Sequence, residues 1–200
     1  MAKPENVKLK LEEFRLTYKD LFVFKPLYRV LHKWYCENNW QDQYGKSGTG
    51  PTGAQFFEIY YIHRETGGGF YDITILWEWY KPYWNTNFRM KMQVEFVLLG
   101  GKIEERRIGD RKVKGESGEF NMFIRPSVEL LKSKAFDESP FLRRIKRPFF
   151  GRYTSEVNEQ ISAYCYSKAK EVHDLAKSYL DSHGSVFGQD QLIHRKWEGV

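Results

Sequence analysis

Cysteine is scarce in this chain. Two residues, Cys36 and Cys165, among 200 are too few for a disulfide framework. Both fall in segments with helical spacing beside aromatic neighbours and are read as buried, reduced thiols. Long hydrophobic runs are missing too. No stretch approaches the roughly 18 apolar residues of a membrane span. Met1-Ala2-Lys3-Pro4-Glu5-Asn6 leads into a charged segment without the apolar core of a signal peptide. These absences predict a soluble, cytoplasmic protein. Motifs for catalysis, metal or nucleotide are missing as well. Gly45-Lys46-Ser47 has the ending of a phosphate-binding loop, but Trp40 stands where that pattern needs glycine, and a helix precedes where a strand should. Gly67-Gly68-Gly69 lies between two strands, as a hairpin would, and not at a strand-to-helix turn. His32, His63, His173, His183 and His194 form no i, i+4 pair and have no carboxylate at a ligand spacing. No residue is therefore nominated for catalysis, for a cofactor or for a metal.

What the chain has in quantity is aromatic and basic material. Aromatics make up 17% of the residues and the formal net charge is +6. Flat and β-branched side chains pack well on a pleated surface, so the aromatic share favours strands. A basic balance permits attraction to nucleic acid, anionic lipid or an acidic protein where the charge is clustered.

The patterning centres on residues 54–100. Phe57, Ile59 and Tyr61 alternate with Glu58, Tyr60 and Ile62. Tyr71, Ile73, Ile75, Trp77 and Trp79 alternate with Asp72, Thr74, Leu76, Glu78 and Tyr80. Phe88, Met90, Met92, Val94, Phe96 and Leu98 alternate with Arg89, Lys91, Gln93 and Glu95. A period of two predicts three antiparallel strands, each with one apolar face. Asp72, Glu78 and Glu95 then fall on the wetter face, where cross-strand pairing to Arg89 or Lys91 is expected in place of acid–base chemistry.

Before this core, residues 7–16 read as an edge strand with protective lysines. Thr17 and Asp20 suggest a helix start, with Pro26 either kinking one helix or opening a second. Leu27, Leu31, Trp34 and Tyr35 have helical spacing up to Asn38-Asn39. Residues 41–53 read as a flexible glycine-rich loop. After the core, Gly100-Gly101 reads as a two-residue turn into a very polar fourth strand, residues 102–114. It carries Lys102, Arg106, Arg107, Arg111, Lys112 and Lys114 against Glu104, Glu105 and Asp110. Phe120, Met122 and Ile124 predict a fifth strand, stopped by Pro126, and residues 127–134 a short helix. A long helix follows from Ser155 through Val157, Ile161, Cys165, Val172, Leu175 and Leu180 to a stop at Gly184.

The expected architecture is α+β: a single domain over residues 1–182, with a meander of about five to six antiparallel strands covered on one face by a long C-terminal helix. Residues 183–200 form a tail. This order of elements resembles helix-grip proteins of the START-like group, in which a curved sheet wraps a C-terminal helix around an apolar cavity. The resemblance implies a cavity between sheet and helix and carries over no functional residue.

One segment stands out chemically. Phe141-Leu142-Arg143-Arg144-Ile145-Lys146-Arg147-Pro148-Phe149-Phe150-Gly151-Arg152 holds five cations and no acid. Three readings of function follow. In the first, a non-enzymatic module contacts an anionic macromolecule through Arg143, Arg144, Lys146, Arg147 and Arg152, joined by Arg106, Arg107, Arg111 and Lys112. Phe149 and Phe150 would stack on bases or insert into lipid. The plainer reading of the same residues is an amphipathic helical turn with solvated cations. In the second, Trp77, Trp79, Met90 and Met92 line a pocket for a small apolar ligand. In the third, the chain is an assembly subunit that docks through its C-terminal tail.

Overall fold

The computed structural model describes residues 7–42, 57–83, 88–108, 111–130 and 140–184. The strands are β1 (Val7–Lys10), β2 (Phe14–Tyr18), β3 (Glu58–Gly67), β4 (Phe70–Pro82), β5 (Phe88–Ile108) and β6 (Arg111–Leu130), and the helices are α1 (Phe24–Glu37) and α2 (Pro140–Gly184). All strands are antiparallel in one sheet, ordered β1-β6-β5-β4-β3, and β2 shares the β6 edge with β1. The α+β class, the meander and the C-terminal helix packed on the sheet are as the sequence predicts.

One face of the sheet carries the core. Ile75, Trp77, Trp79, Met92, Val94, Phe96, Phe120, Met122 and Ile124 are buried on it. Two helices cover that face side by side. From α1 come Phe24, Leu27, Leu31 and Tyr35. From α2 comes a stripe at three- and four-residue spacing, Ile161, Cys165, Ala169, Val172, Ala176 and Leu180. Alanine at two of these positions lets the helix backbone approach the sheet closely. The Tyr179 hydroxyl donates to the Val23 carbonyl at 3.2 Å, tying α2 to the start of α1.

Several boundaries differ from the sequence-based expectation. Thr17 belongs to β2, not to a helix. Its Oγ1 donates to Asn121 Oδ1 on β6 at 2.7 Å, and cross-strand pairing overrides the local capping signal. The helix starts at Phe24 instead, so Pro26 falls in its first turn, where a missing N–H costs nothing. Val23 supplies no side-chain cap; the Glu116 carboxylate accepts the Phe24 N–H at 2.6 Å from across the sheet.

Pro126 does not stop β6, which runs on to Leu130, so residues 127–130 are strand and not helix. The neighbouring edge is interrupted at this point. Residues 11–13, between β1 and β2, lie beside Pro126, which has no N–H to donate, while its carbonyl accepts from Leu11 N at 3.1 Å.

The Gly100-Gly101 turn is likewise not a turn. β5 and β6 pass straight through it and pair from Phe88↔Leu130 to Ile108↔Arg111. The step from Leu99↔Glu119 to Lys102↔Ser117 holds one extra residue on β5, a bulge. Gly100 and Gly118 take φ of 58° and 153° there, values that favour residues without Cβ. At Gly118 a Cβ would also stand 2.9 Å from the Leu99 carbonyl oxygen.

Finally, α2 begins fifteen positions before Ser155, at Pro140, and its 45 residues span roughly 65–70 Å. Among the described residues, no helix is long and apolar enough to cross a membrane. Of the 41–53 loop only Gln41 and Asp42 are described; Gln41 pairs with Tyr80 on β4. The rest of that loop, and residues 185–200 of the tail, lie outside the described residues.

Candidate anion-binding surface

The fold gathers the first group of predicted cations on one projecting element. Pairing with β4 ends at Tyr71↔Gly101, and the N-terminal segment reaches β6 as far as the Phe22↔Glu116 bridge. Beyond those contacts β5 and β6 continue as a two-stranded ribbon of residues 102–108 and 111–117, roughly 20 Å long. Lys102, Arg106, Arg107, Arg111, Lys112 and Lys114 all lie on it.

Register decides which of them meet. Ile103 pairs with Glu116, Glu105 with Lys114, and Arg107 with Lys112. Alternation puts these six on one face of the ribbon, the face from which Glu116 reaches α1. Arg107 and Lys112 thus stand directly opposite each other, and both are exposed. Like charges in that position repel. Among the described residues neither has an acid within ion-pair distance, and neither does Lys114. Ile103, on the same face, is 56% exposed. At the ribbon's base, Lys102 lies over the Phe70 ring with its ammonium 5.5 Å from the centroid.

The second predicted group lies on the opening turns of α2. Arg143, Arg144, Lys146, Arg147, Phe149, Phe150 and Arg152 sit on helical backbone continuous with the core-packing stripe. Pro148 stands within it, so one i→i−4 hydrogen bond of those turns is missing. The side chains of residues 140–156 lie outside the described residues.

The four residues proposed for an apolar pocket are core. Trp77, Trp79 and Met92 are fully buried and Met90 is 1% exposed. Tyr35 of α1 stacks on Trp79 at 4.9 Å, and Phe57 also stacks on it, at 4.4 Å. Tyr28 meets Trp77 edge-on at 4.5 Å. The neighbour of these rings is α1, whereas the resemblance implied α2.

The sheet carboxylates occupy the outer face and are paired there. Glu78 accepts from Lys91 Nζ at 2.7 Å, Gln93 Nε2 at 2.6 Å and Tyr80 Oη at 2.7 Å. Burial works to raise the Glu78 carboxyl, but the three donors outweigh it and hold the group below its ordinary value. Burial likewise works to lower the Lys91 ammonium, and Glu78 and Tyr80 hold it above its ordinary value. Arg89 pairs with Glu129 at 2.7 Å and lies 4.4 Å from the centre of the Tyr80 ring, and Glu95 pairs with Arg125. Asp72 accepts the Gly100 N–H at 2.7 Å, which fixes the bulge.

Two groups with no local sequence signal lie at the junction of ribbon, β4 and α1. Burial pushes the Glu116 carboxyl up despite the opposing pull of the Phe24 N–H. Burial, then the nearby Glu116 and Tyr61, push the Tyr71 hydroxyl up to about 12. Only the long-range register places them together. Cys36 and Cys165 are unbonded; Cys165 is buried as the sequence predicts, whereas Cys36 is only half-buried, and burial raises the Cys165 thiol to about 12. Among the described residues no three His, Cys, Asp or Glu side chains cluster as a metal site.

The fold and this surface define an α+β protein with a two-helix cover and a basic β-ribbon. Comparison with known proteins finds no matching family model, no similar curated protein and no similar solved structure. The helix-grip likeness is accordingly one of element order.

Proposed function

We propose that this chain is a non-enzymatic binding module whose basic β5–β6 ribbon, with the basic opening of α2, contacts an anionic macromolecule. The observation that carries the reading is the exposed Arg107–Lys112 pair, held face to face with no acid within ion-pair distance among the described residues. Such a pair costs stability in the free protein, and a phosphate or carboxylate between the two side chains removes that cost. The segment 141–152 adds five cations on the opening turns of α2, at the end of that helix away from the ribbon, since it is Tyr179, near the other end, that reaches Val23 beside the ribbon's base. Each phosphate neutralised releases counterions, so affinity falls steeply with salt.

The test measures binding to labelled duplex and single-stranded nucleic acid, and to anionic vesicles, from about 50 mM salt upward. Wild type binds at low salt with a steep salt dependence. Arg107→Gln with Lys112→Gln flattens that slope, and so does the quadruple change of Arg143, Arg144, Lys146 and Arg147 to glutamine. The first set leaves the fold unchanged, because Arg107 and Lys112 are exposed and solvated surface charges contribute little to stability; circular dichroism checks that the second does too. Absence of wild-type binding at 50 mM salt, or full binding by both variants, sinks the proposal. Phe149→Ala with Phe150→Ala separates stacking or insertion from core packing: the first loses binding alone, the second loses stability.

A further inference from the structure

The two edges of the sheet are built differently. The β6 side is closed by β1 and β2, which are four and five residues long, carry Lys8, Lys10 and Arg15, and are interrupted at residues 11–13. Short strands, lysines and interruptions are the ordinary protections of an edge. The opposite edge is β3, ten residues long, and among the described residues no strand pairs with its outer side. It holds no lysine and no proline. Ile59, Tyr61 and Ile62 on it are 45%, 53% and 40% exposed. Irregularities fall only near its ends, at Glu58/Tyr60 and Glu65/Gly67, which leaves Tyr60-Tyr61-Ile62-His63-Arg64 in regular register.

That run is complementary to itself when reversed. A two-fold axis relating two antiparallel edge strands must pass beside one residue and its own copy. With the axis at Ile62, Ile62 meets Ile62, Tyr61 meets His63, and Tyr60 meets Arg64. Every basic residue faces an aromatic ring, no like charges meet, and the two exposed isoleucines close on each other. Tyr60 lies on the outer face, its hydroxyl 3.4 Å from Glu95 Oε1, so an arginine arriving from the partner strand meets a ring beside a carboxylate. We infer that β3 pairs edge to edge with β3 of a second copy of this chain, centred on Ile62, to form one continuous antiparallel sheet across a two-fold dimer.

The inference is independent of anion binding, because the Tyr60–Arg64 run shares no residue with the ribbon or with the basic opening of α2. It is tested by sedimentation equilibrium of the full chain from about 1 to 100 μM, a span that covers ordinary dimer affinities. The expected wild-type species is a dimer of twice the 23.9 kDa chain mass. Ile62→Lys sets two ammonium groups against each other at the axis, and Ile62→Glu two carboxylates, so each variant alone is a monomer at concentrations where wild type is dimeric. Circular dichroism of both should match wild type, because Ile62 is outside the core. An equimolar mixture of the two variants places lysine against glutamate and restores a dimer. A wild-type monomer at 100 μM overturns the inference. So does a dimer indifferent to Ile62→Lys, a mixture that stays monomeric, or an assembly that grows beyond two.

Discussion

β5 and β6 are a single pair of strands with two halves that obey different rules. In the inner half, Met90, Met92, Val94, Phe96 and Leu98 lie beside Phe120, Met122 and Ile124, all nearly or fully buried under two helices. In the outer half the same ladder continues with Ile103 exposed and Arg107 facing Lys112. The inner half is held by burial. The outer half is held by cross-strand hydrogen bonds and by its root in the sheet. The difference teaches that a strand can outrun its hydrophobic pattern, and that what projects is then free to carry charge.

Four changes break or sharpen this contrast, from the largest effect to the smallest. Phe96→Ala empties part of the inner half and should cost about 3–5 kcal/mol in denaturant unfolding, the sum of lost transfer energy and a cavity. A cost below about 1 kcal/mol would show that the inner half is not held as described.

Glu78→Gln should cost on the order of 2 kcal/mol at neutral pH, by leaving Lys91 without its charged partner on the outer face of the same half. The Glu78 carboxyl is held below its ordinary value of 4.5 in the folded state, so its stabilisation is present above that pH and is lost as the pH falls through the folded value. The gap between wild type and variant should therefore close on acidification, as read from unfolding midpoints between pH 7 and pH 3. A gap constant with pH would mean that the pair carries no charge-dependent stability.

Gly118→Ala tests the joint between the halves. Alanine at a φ of 153°, with its Cβ 2.9 Å from a backbone oxygen, should cost about 1–2 kcal/mol by calorimetry. The smallest effect falls on the ribbon itself. Arg107→Glu opposite Lys112 should raise stability by roughly 0.2–1 kcal/mol, since opposite charges replace like ones. The same change should lower polyanion affinity at low salt. A variant that gains neither stability nor loses affinity would remove the ribbon from the functional reading.

These halves also explain what was legible in the sequence. The inner half reads directly, because burial on one face writes a period of two into the residues. Trp77, Trp79 and the long α2 stripe were legible for the same reason. The outer half was misread at Gly100-Gly101, where the alternation ends: burial stops there, but the strand does not. With the turn placed wrongly, the Arg107–Lys112 juxtaposition was invisible, although counting the register back from residues 109–110 would have found it. Thr17 and Pro126 misled for a different reason. Both are local signals, for a helix start and a strand stop, and both are overruled by distant partners: Thr17 by Asn121 on β6, and Pro126 by β5 and β1, which pair with the residues beyond it. Glu116 had no local signal at all, because its role as acceptor for the first N–H of α1 exists only once β6 has returned.

That return has a consequence for how the protein is made. Among the described residues, β1 and β2 pair in the sheet with β6 alone. On the ribosome they emerge more than a hundred residues before their partner, and α1 emerges before the carboxylate that caps it. During synthesis at about 5–20 residues per second, the chain therefore spends several seconds with its first strands unplaced. The aromatic face of β4 and β5 is also without the α2 stripe until the last part of the chain is free. The native sheet cannot be completed in the order in which it is translated. Productive folding in the cell then depends on keeping that early, apolar, half-built sheet from finding another edge first.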